Sequence, residues 1–150
     1  MPPSETSDAL LDLLRRYGCD VVDTPILQPA SLFLDLSGES IRRRLFVTQD
    51  ADGRELCLRP EHTIPVCRRH VETGRQAATY GYLGPVFRQR PGESGEFVQA
   101  GIESIGRTDQ AGADVDVLAF ALDGLALYPG RPFEITIGDS RVVPILRTVT

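Results

Sequence analysis

The sequence has no lysine and no tryptophan, and all 16 of its basic side chains are arginine. Against them stand 21 acidic residues, for a net charge of -5 and an isoelectric point near 5.0. That balance excludes a surface built throughout to neutralise phosphates, and bulk nucleic-acid binding with it. Cysteine is scarce: Cys19, Cys57 and Cys67 are odd in number and irregular in spacing. They form no disulfide framework and read as reduced thiols. Long apolar runs are missing, and the N-terminus lacks the basic start and apolar stretch of a signal peptide, so a cytoplasmic protein is expected. There is no Walker loop, no GxGxxG and no internal repeat. Cys67 and His70, with His62 nearby, lack a CxxC pair or a fourth ligand, so neither a metal nor a cofactor is expected.

What is present suits one domain: 150 residues, 41% hydrophobic and 25% charged. Leu10, Leu11, Leu13, Leu14 and Tyr17 recur at helical spacing up to Gly18, which predicts an opening amphipathic helix over residues 4–17. Residues 20–27 contain β-branched residues and Pro25, which fits an edge, strand-start or interface strand, followed by a turn at Gln28-Pro29. Residues 45–48 and 55–59 flank Asp50-Ala51-Asp52-Gly53, a hairpin signal. Thr63 is placed to cap a helix running to Gly74. A second hairpin is expected from strands over 77–88 and 97–106, joined by a polar loop over 89–96. A helix over 109–128, a strand over 133–137 and a short helix after Asp139 complete the pattern. Hairpin connections imply a mostly antiparallel sheet with helices laid on it, an α+β fold.

The densest set of chemically capable residues is Leu58-Arg59-Pro60-Glu61-His62-Thr63, then Phe87-Arg88, then Gln99-Ala100-Gly101-Ile102-Glu103. Strand periodicity puts Gln99, Gly101 and Glu103 on one face, with Val98, Ile102 and Ser104 on the other. Glu61 and Glu103 suit an ammonium group, and the Arg88 guanidinium suits a carboxylate, the two ends of a free amino acid. Spacing alone is equally served by solvated strand residues and a helix cap at Thr63. The arginine runs 42–44 and 68–69 read as solvated faces, or in the first case as a subunit contact.

The string Gly18-Cys19-Asp20-Val21-Val22-Asp23-Thr24-Pro25-Ile26-Leu27 resembles motif 1 of class II aminoacyl-tRNA synthetases, the element with its proline at the dimer interface. Leu58-Arg59-Pro60-Glu61-His62-Thr63 resembles the Leu-Arg-Pro-Glu-Gly-Thr segment of histidyl-tRNA synthetases, and residues 82–106 resemble their motif 2, through Phe87-Arg88, Phe97-Val98-Gln99 and Glu103. The resemblance covers nearly the whole chain. It implies a class II synthetase-like, mostly antiparallel sheet flanked by helices, as a single domain over 1–150 truncated at its C-terminal end. It also implies that Glu61, Thr63, Gln99 and Glu103 hold histidine, that Arg88 contacts the amino-acid carboxylate and an α-phosphate, and that the region from Val21 to Leu27 mediates self-association.

Three departures bear on activity. Arg90 stands where motif 2 has a glutamate that helps hold ATP; the 89–96 loop is short, with one arginine and with Glu93 and Glu96 at its tip; His62 replaces a glycine. No motif 3 arginine or anticodon-binding domain follows within the sequence. A kept amino-acid pocket beside a degraded motif 2 is similar to the regulatory-subunit family of ATP phosphoribosyltransferase. The resemblance implies a non-catalytic, cytoplasmic protein without cofactor. It would support the short-form catalytic subunit in the first step of histidine biosynthesis and confer feedback by L-histidine, with tRNA not a partner. The alternative is a divergent or truncated histidyl-tRNA synthetase.

Overall fold

The computed structural model describes residues 4–128, 130, 132–136 and 138. Helix α1 (Ser4–Arg16) stops at Gly18, whose φ of 68° is left-handed backbone that glycine adopts without penalty. The reversal lets the Cys19 amide donate back to the Leu14 carbonyl at 3.1 Å and turns the chain into β1 (Asp20–Val21). The single strand expected over 20–27 is split. Pro25 lies between β1 and β2 (Leu27–Pro29), and the two pieces join different sheets. Gln28 and Pro29 belong to β2 and not to a turn: they pair with Cys57 and Leu56. Pro29 is tolerated there because β2 is an edge strand.

The next two elements carry no clear sequence signal. Helix α2 (Ala30–Ser37) and a 3-10 segment (Glu39–Arg44) bury Ala30, Phe33 and Leu45 against Cys57, with Ile41 and Ile64 beside them. The arginine run 42–44 therefore closes the 3-10 turn. The expected first hairpin forms as β3 (Val47–Gln49) and β4 (Glu55–Leu58), with Gly53 at φ 79° in its turn. With β2 these make an antiparallel sheet in the order β2-β4-β3.

Helix α3 (Thr63–Thr73) ends on left-handed Gly74, and β5 (Ala78–Phe87) and β6 (Glu96–Ile105) pair antiparallel along their whole length. Strand β1 adds to β5 in parallel, an exception to the antiparallel rule, because the long connection between them, which includes the second sheet and α3, returns the chain to the same end before β5 begins. One face of this sheet meets α1 and α4 (Gln110–Ala126): Leu13, Leu14, Cys19 and Phe120 form a core with Ile102. Gly81 on that face is a close approach, since an added Cβ would lie 2.7 Å from Leu14 Cδ2. The other face carries Tyr80 and Tyr82, packed with Val22, Val66 and Ile105. Asp109 caps α4 through its carboxylate, which accepts from the Gly112 amide at 3.0 Å.

The strand expected over 133–137 is not seen in its described part: residues 133–136 are irregular and pair with no strand among the described residues. Ile137 and the helix expected after Asp139 lie outside the described residues. No helix among the described residues is long and apolar enough to cross a membrane.

Candidate amino-acid site

After β4 the chain runs across the ends of the strands. The Arg59 amide donates to the Ile26 carbonyl and the Arg59 carbonyl accepts from the Phe87 amide, at 2.8 and 3.0 Å, which ties this segment to β5. The Arg59 side chain turns inward and is 2% exposed. Its guanidinium donates to the Thr24 carbonyl, to Thr24 Oγ1 at 3.1 Å and to the Pro85 carbonyl at 2.9 Å, with Asp23 at 3.6 Å. A buried charge needs such partners, and here most are neutral oxygens. Gly84 makes room for it, because an added Cβ would lie 2.8 Å from Arg59 Nη2.

The next three residues open the site. Glu61 Oε1 accepts from the Ile64 amide at 2.9 Å, so the cap of α3 comes from Glu61. This corrects the expectation for Thr63, which is the first helical residue and sends its hydroxyl to Glu103 Oε1 at 2.7 Å. Thr63 lies one residue past the cap position, and its hydroxyl proton goes to the carboxylate, a strong acceptor. Tyr82 Oη also donates to Glu103 Oε1, at 3.3 Å. Burial raises the Tyr82 phenol pKa, and the negative charge of Glu103 raises it further, so it remains a donor. Gly101 is required above the tyrosine: an added Cβ would come within 2.5 Å of its hydroxyl.

At the other end, Arg88 Nε donates to the Pro60 carbonyl at 2.7 Å and its guanidinium lies over the Phe97 ring at 5.3 Å. Burial lowers the Arg88 pKa, the neighbouring Arg44 and Arg90 lower it further, and Glu61 opposes them. Gln99 shares the β6 face with Gly101 and Glu103, and its Oε1 is buried without a hydrogen-bond partner. Unpaired buried acceptors are uncommon and mark a place where a donor is expected. The structure thus joins Thr63 directly to Glu103, ties Arg88 to the Pro60 carbonyl next to Glu61, and places Gln99 two face positions from Glu103. Sequence reasoning missed Arg59, Thr24 and Tyr82. Tyr82 had a signal, since strand parity pairs it with Gly101 on the Gln99–Glu103 face.

His62 is 1% exposed and lies under the site, stacked on Tyr82 with ring centroids 4.6 Å apart and planes at 16°. Burial lowers its pKa, and the charge of Arg59 lowers it further, which keeps it neutral. In the shortened loop, Arg90 folds onto the same Phe97 ring at 4.5 Å and donates to Glu93 at 3.2 Å. Of the other arginines noted in the sequence, Arg42 pairs with Glu55 and Arg68 with Glu72.

A family model described as histidyl-tRNA synthetase matches residues 3–149. The chain belongs to the histidyl-tRNA synthetase family. Among relatives of this family, the ATP phosphoribosyltransferase regulatory subunit of Rhizobium meliloti is 50% identical over 93% of this chain and 37% of its own length. The protein of the same name from Agrobacterium fabrum is 53% identical over 81% of this chain and 33% of its own length. The chain thus spans about a third of the length of these relatives. A solved Bacillus halodurans structure described as an ATP phosphoribosyltransferase regulatory subunit/histidyl-tRNA synthetase superposes with a TM-score of 0.79 at 27% identity, covering 94% of this chain and 37% of that one. Apo S. aureus histidyl-tRNA synthetase gives 0.66 at 28% identity, over 83% of this chain and 30% of its own. The α+β, class II synthetase-like fold read from the sequence is the fold observed.

Proposed function

We propose that the chain is part of a non-catalytic regulatory subunit of ATP phosphoribosyltransferase, and that Glu61, Thr63, Arg88, Gln99 and Glu103 hold L-histidine as the effector. The observation that carries the reading is the polarity of the site. Glu103 is held by Thr63 and Tyr82, Gln99 Oε1 is buried and unpaired, and Arg88 stands at the opposite end. Carboxylates take an ammonium or an imidazole N–H, and a guanidinium fork takes a carboxylate. Relatives sharing about half of the aligned residues bear the regulatory-subunit name, which favours the partner: a catalytic subunit of that enzyme in its short form. Histidine regulates if it binds two assembly states unequally; a tenfold difference in affinity moves their balance by about 1.4 kcal/mol.

Self-association through Val21 to Leu27 fits this reading. Val21, Ile26 and Leu27 leave 43%, 43% and 52% of their surface exposed, and β1 and β2 are edge strands of their sheets. The deciding experiment is calorimetric titration of histidine into the full chain, alone and with the catalytic subunit, alongside the activity of that subunit. Saturable binding with a histidine-dependent change in partner activity supports the reading; activity indifferent to histidine overturns it. The second reading, a divergent histidyl-tRNA synthetase, keeps one observation in its favour, the retained Arg88 beside Pro60. Histidine-dependent exchange of pyrophosphate into ATP would establish it.

A further inference from the structure

Beneath the site a continuous set of contacts runs from the motif 1-like segment to Glu103, and each proton in it has one place to go. Arg59 donates to Thr24 Oγ1, so the single hydroxyl proton of Thr24 is free to point at His62 Nδ1, 3.3 Å away. The other imidazole nitrogen, Nε2, faces the Gly84 carbonyl at 3.4 Å, a group that only accepts. The neutral ring therefore carries its proton on Nε2 and accepts at Nδ1. Both nitrogens being engaged, the ring plane is set, and Tyr82 stacks on it at 4.6 Å. The tyrosine hydroxyl then reaches Glu103. Gly101 makes this arrangement possible, since an added Cβ there would strike the tyrosine hydroxyl. Thr24 and His62 are both buried, at 4% and 1% exposure, while Ile26 and Leu27, just beyond Thr24, are exposed apolar residues.

We propose that Tyr82, set by His62, is a positioning residue for Glu103, and that Thr24, His62 and Tyr82 together couple the self-association segment to the amino-acid pocket. The inference rests on the reading of Glu103 as a histidine ligand. Displacement of Thr24 when a partner covers residues 21–27 rotates His62, moves the Tyr82 hydroxyl and alters the placement of Glu103. Spatial continuity alone does not establish coupling; a non-additive double substitution does.

The test is a cycle of Thr24→Val, Tyr82→Phe and the double variant in the full chain, with Thr24→Ser as the conservative control. Two quantities are read: the histidine dissociation constant, and the alkylation rate of Cys67 without ligand. Cys67 is exposed; desolvation raises its thiol pKa and the charge of Glu103 raises it further, so displacement of the carboxylate changes its rate. Tyr82→Phe is expected to weaken histidine binding about 10-fold through its lost hydrogen bond to Glu103, and Thr24→Val about 4-fold through the lost contact with His62, the variant also losing the oxygen that accepts from Arg59. The double variant is expected to be no weaker than Tyr82→Phe, and Thr24→Ser to restore parental affinity. An unchanged affinity in Thr24→Val, or effects that multiply in the double variant, overturns the coupling while leaving histidine binding intact. If the parent binds no histidine, the functional reading fails and the Cys67 rates decide the coupling. A shared, non-additive rate change in both single variants supports it; rates equal to the parent overturn it.

Discussion

Replacing Glu103 with glutamine removes one charge and almost no volume, which isolates the electrostatic part of the site. In the parent, the carboxylate accepts from Thr63 at 2.7 Å and from Tyr82 at 3.3 Å, both through Oε1. The amide keeps a carbonyl oxygen for Thr63 and Tyr82, so most of the internal hydrogen bonding survives and the fold is expected to lose less than about 1 kcal/mol. The ligand contact differs. A hydrogen bond to an ionised carboxylate contributes about 1.5–3 kcal/mol, and its neutral counterpart about 0.5–1.5. The difference of about 1–2 kcal/mol corresponds to a loss of about 5- to 30-fold in histidine affinity. Calorimetry of the variant and parent at one pH and salt concentration, with a thermal melt of each, separates the two effects. Affinity within twofold of the parent with an unchanged melt would refute the assignment of Glu103 to the ligand.

Four further outcomes follow from the packing. Arg59→Met leaves the Thr24 and Pro85 carbonyls without their buried donor and is expected to destabilise the fold by about 2–4 kcal/mol, read by denaturant melts. Gly101→Ala drives a methyl into the Tyr82 hydroxyl, for a cost of about 1–3 kcal/mol and weaker histidine binding, whereas Ala100→Gly at an exposed neighbour leaves affinity unchanged. Under native conditions Cys67 is expected to be the one cysteine that alkylates, because Cys19 and Cys57 are buried. Burial, with help from Glu103 and Glu61, raises its pKa, so the rate climbs above the pH range of a free thiol. Burial pushes the Cys57 thiol up to about 11. A group with a raised folded-state pKa contributes stability that is complete below its unfolded pKa and fades as pH climbs through the folded one. The parent melting temperature should therefore fall more steeply between the ordinary thiol range and about pH 11 than that of Cys57→Ala.

Local chemistry made parts of the fold legible in the sequence. Gly18 and Gly74 end helices because the chain needs left-handed backbone there, and Asp-Gly at 52–53 fixes the first hairpin. Strand parity put Gln99, Gly101 and Glu103 on one face, and they share it with Tyr82. What stayed hidden depends on partners distant in sequence. Nothing local says that Arg59 turns inward, because its acceptors lie 35 and 26 residues away at Thr24 and Pro85. Thr63 looked like a cap because the stronger claim on its hydroxyl comes from Glu103, 40 residues on. Helix α2 is short and owes its order to Phe33 and Ala30 packing on Cys57 and Leu45 rather than to caps, since Pro29 offers no side-chain cap. The 20–27 strand divided because Pro25 lacks the amide that a continuous ladder requires.

The central claim, that this face of the β5–β6 sheet holds histidine and reports it to a partner enzyme, is tested most directly by one titration. Histidine is added to the full chain together with a short-form ATP phosphoribosyltransferase catalytic subunit, the proposed partner, while heat and phosphoribosyltransferase activity are followed together. Saturable heat whose midpoint coincides with the change in activity, both shifted to higher histidine by Glu103→Gln, is the predicted result. Activity that responds to histidine with the same midpoint in parent and Glu103→Gln would contradict it, since the effector would then act elsewhere.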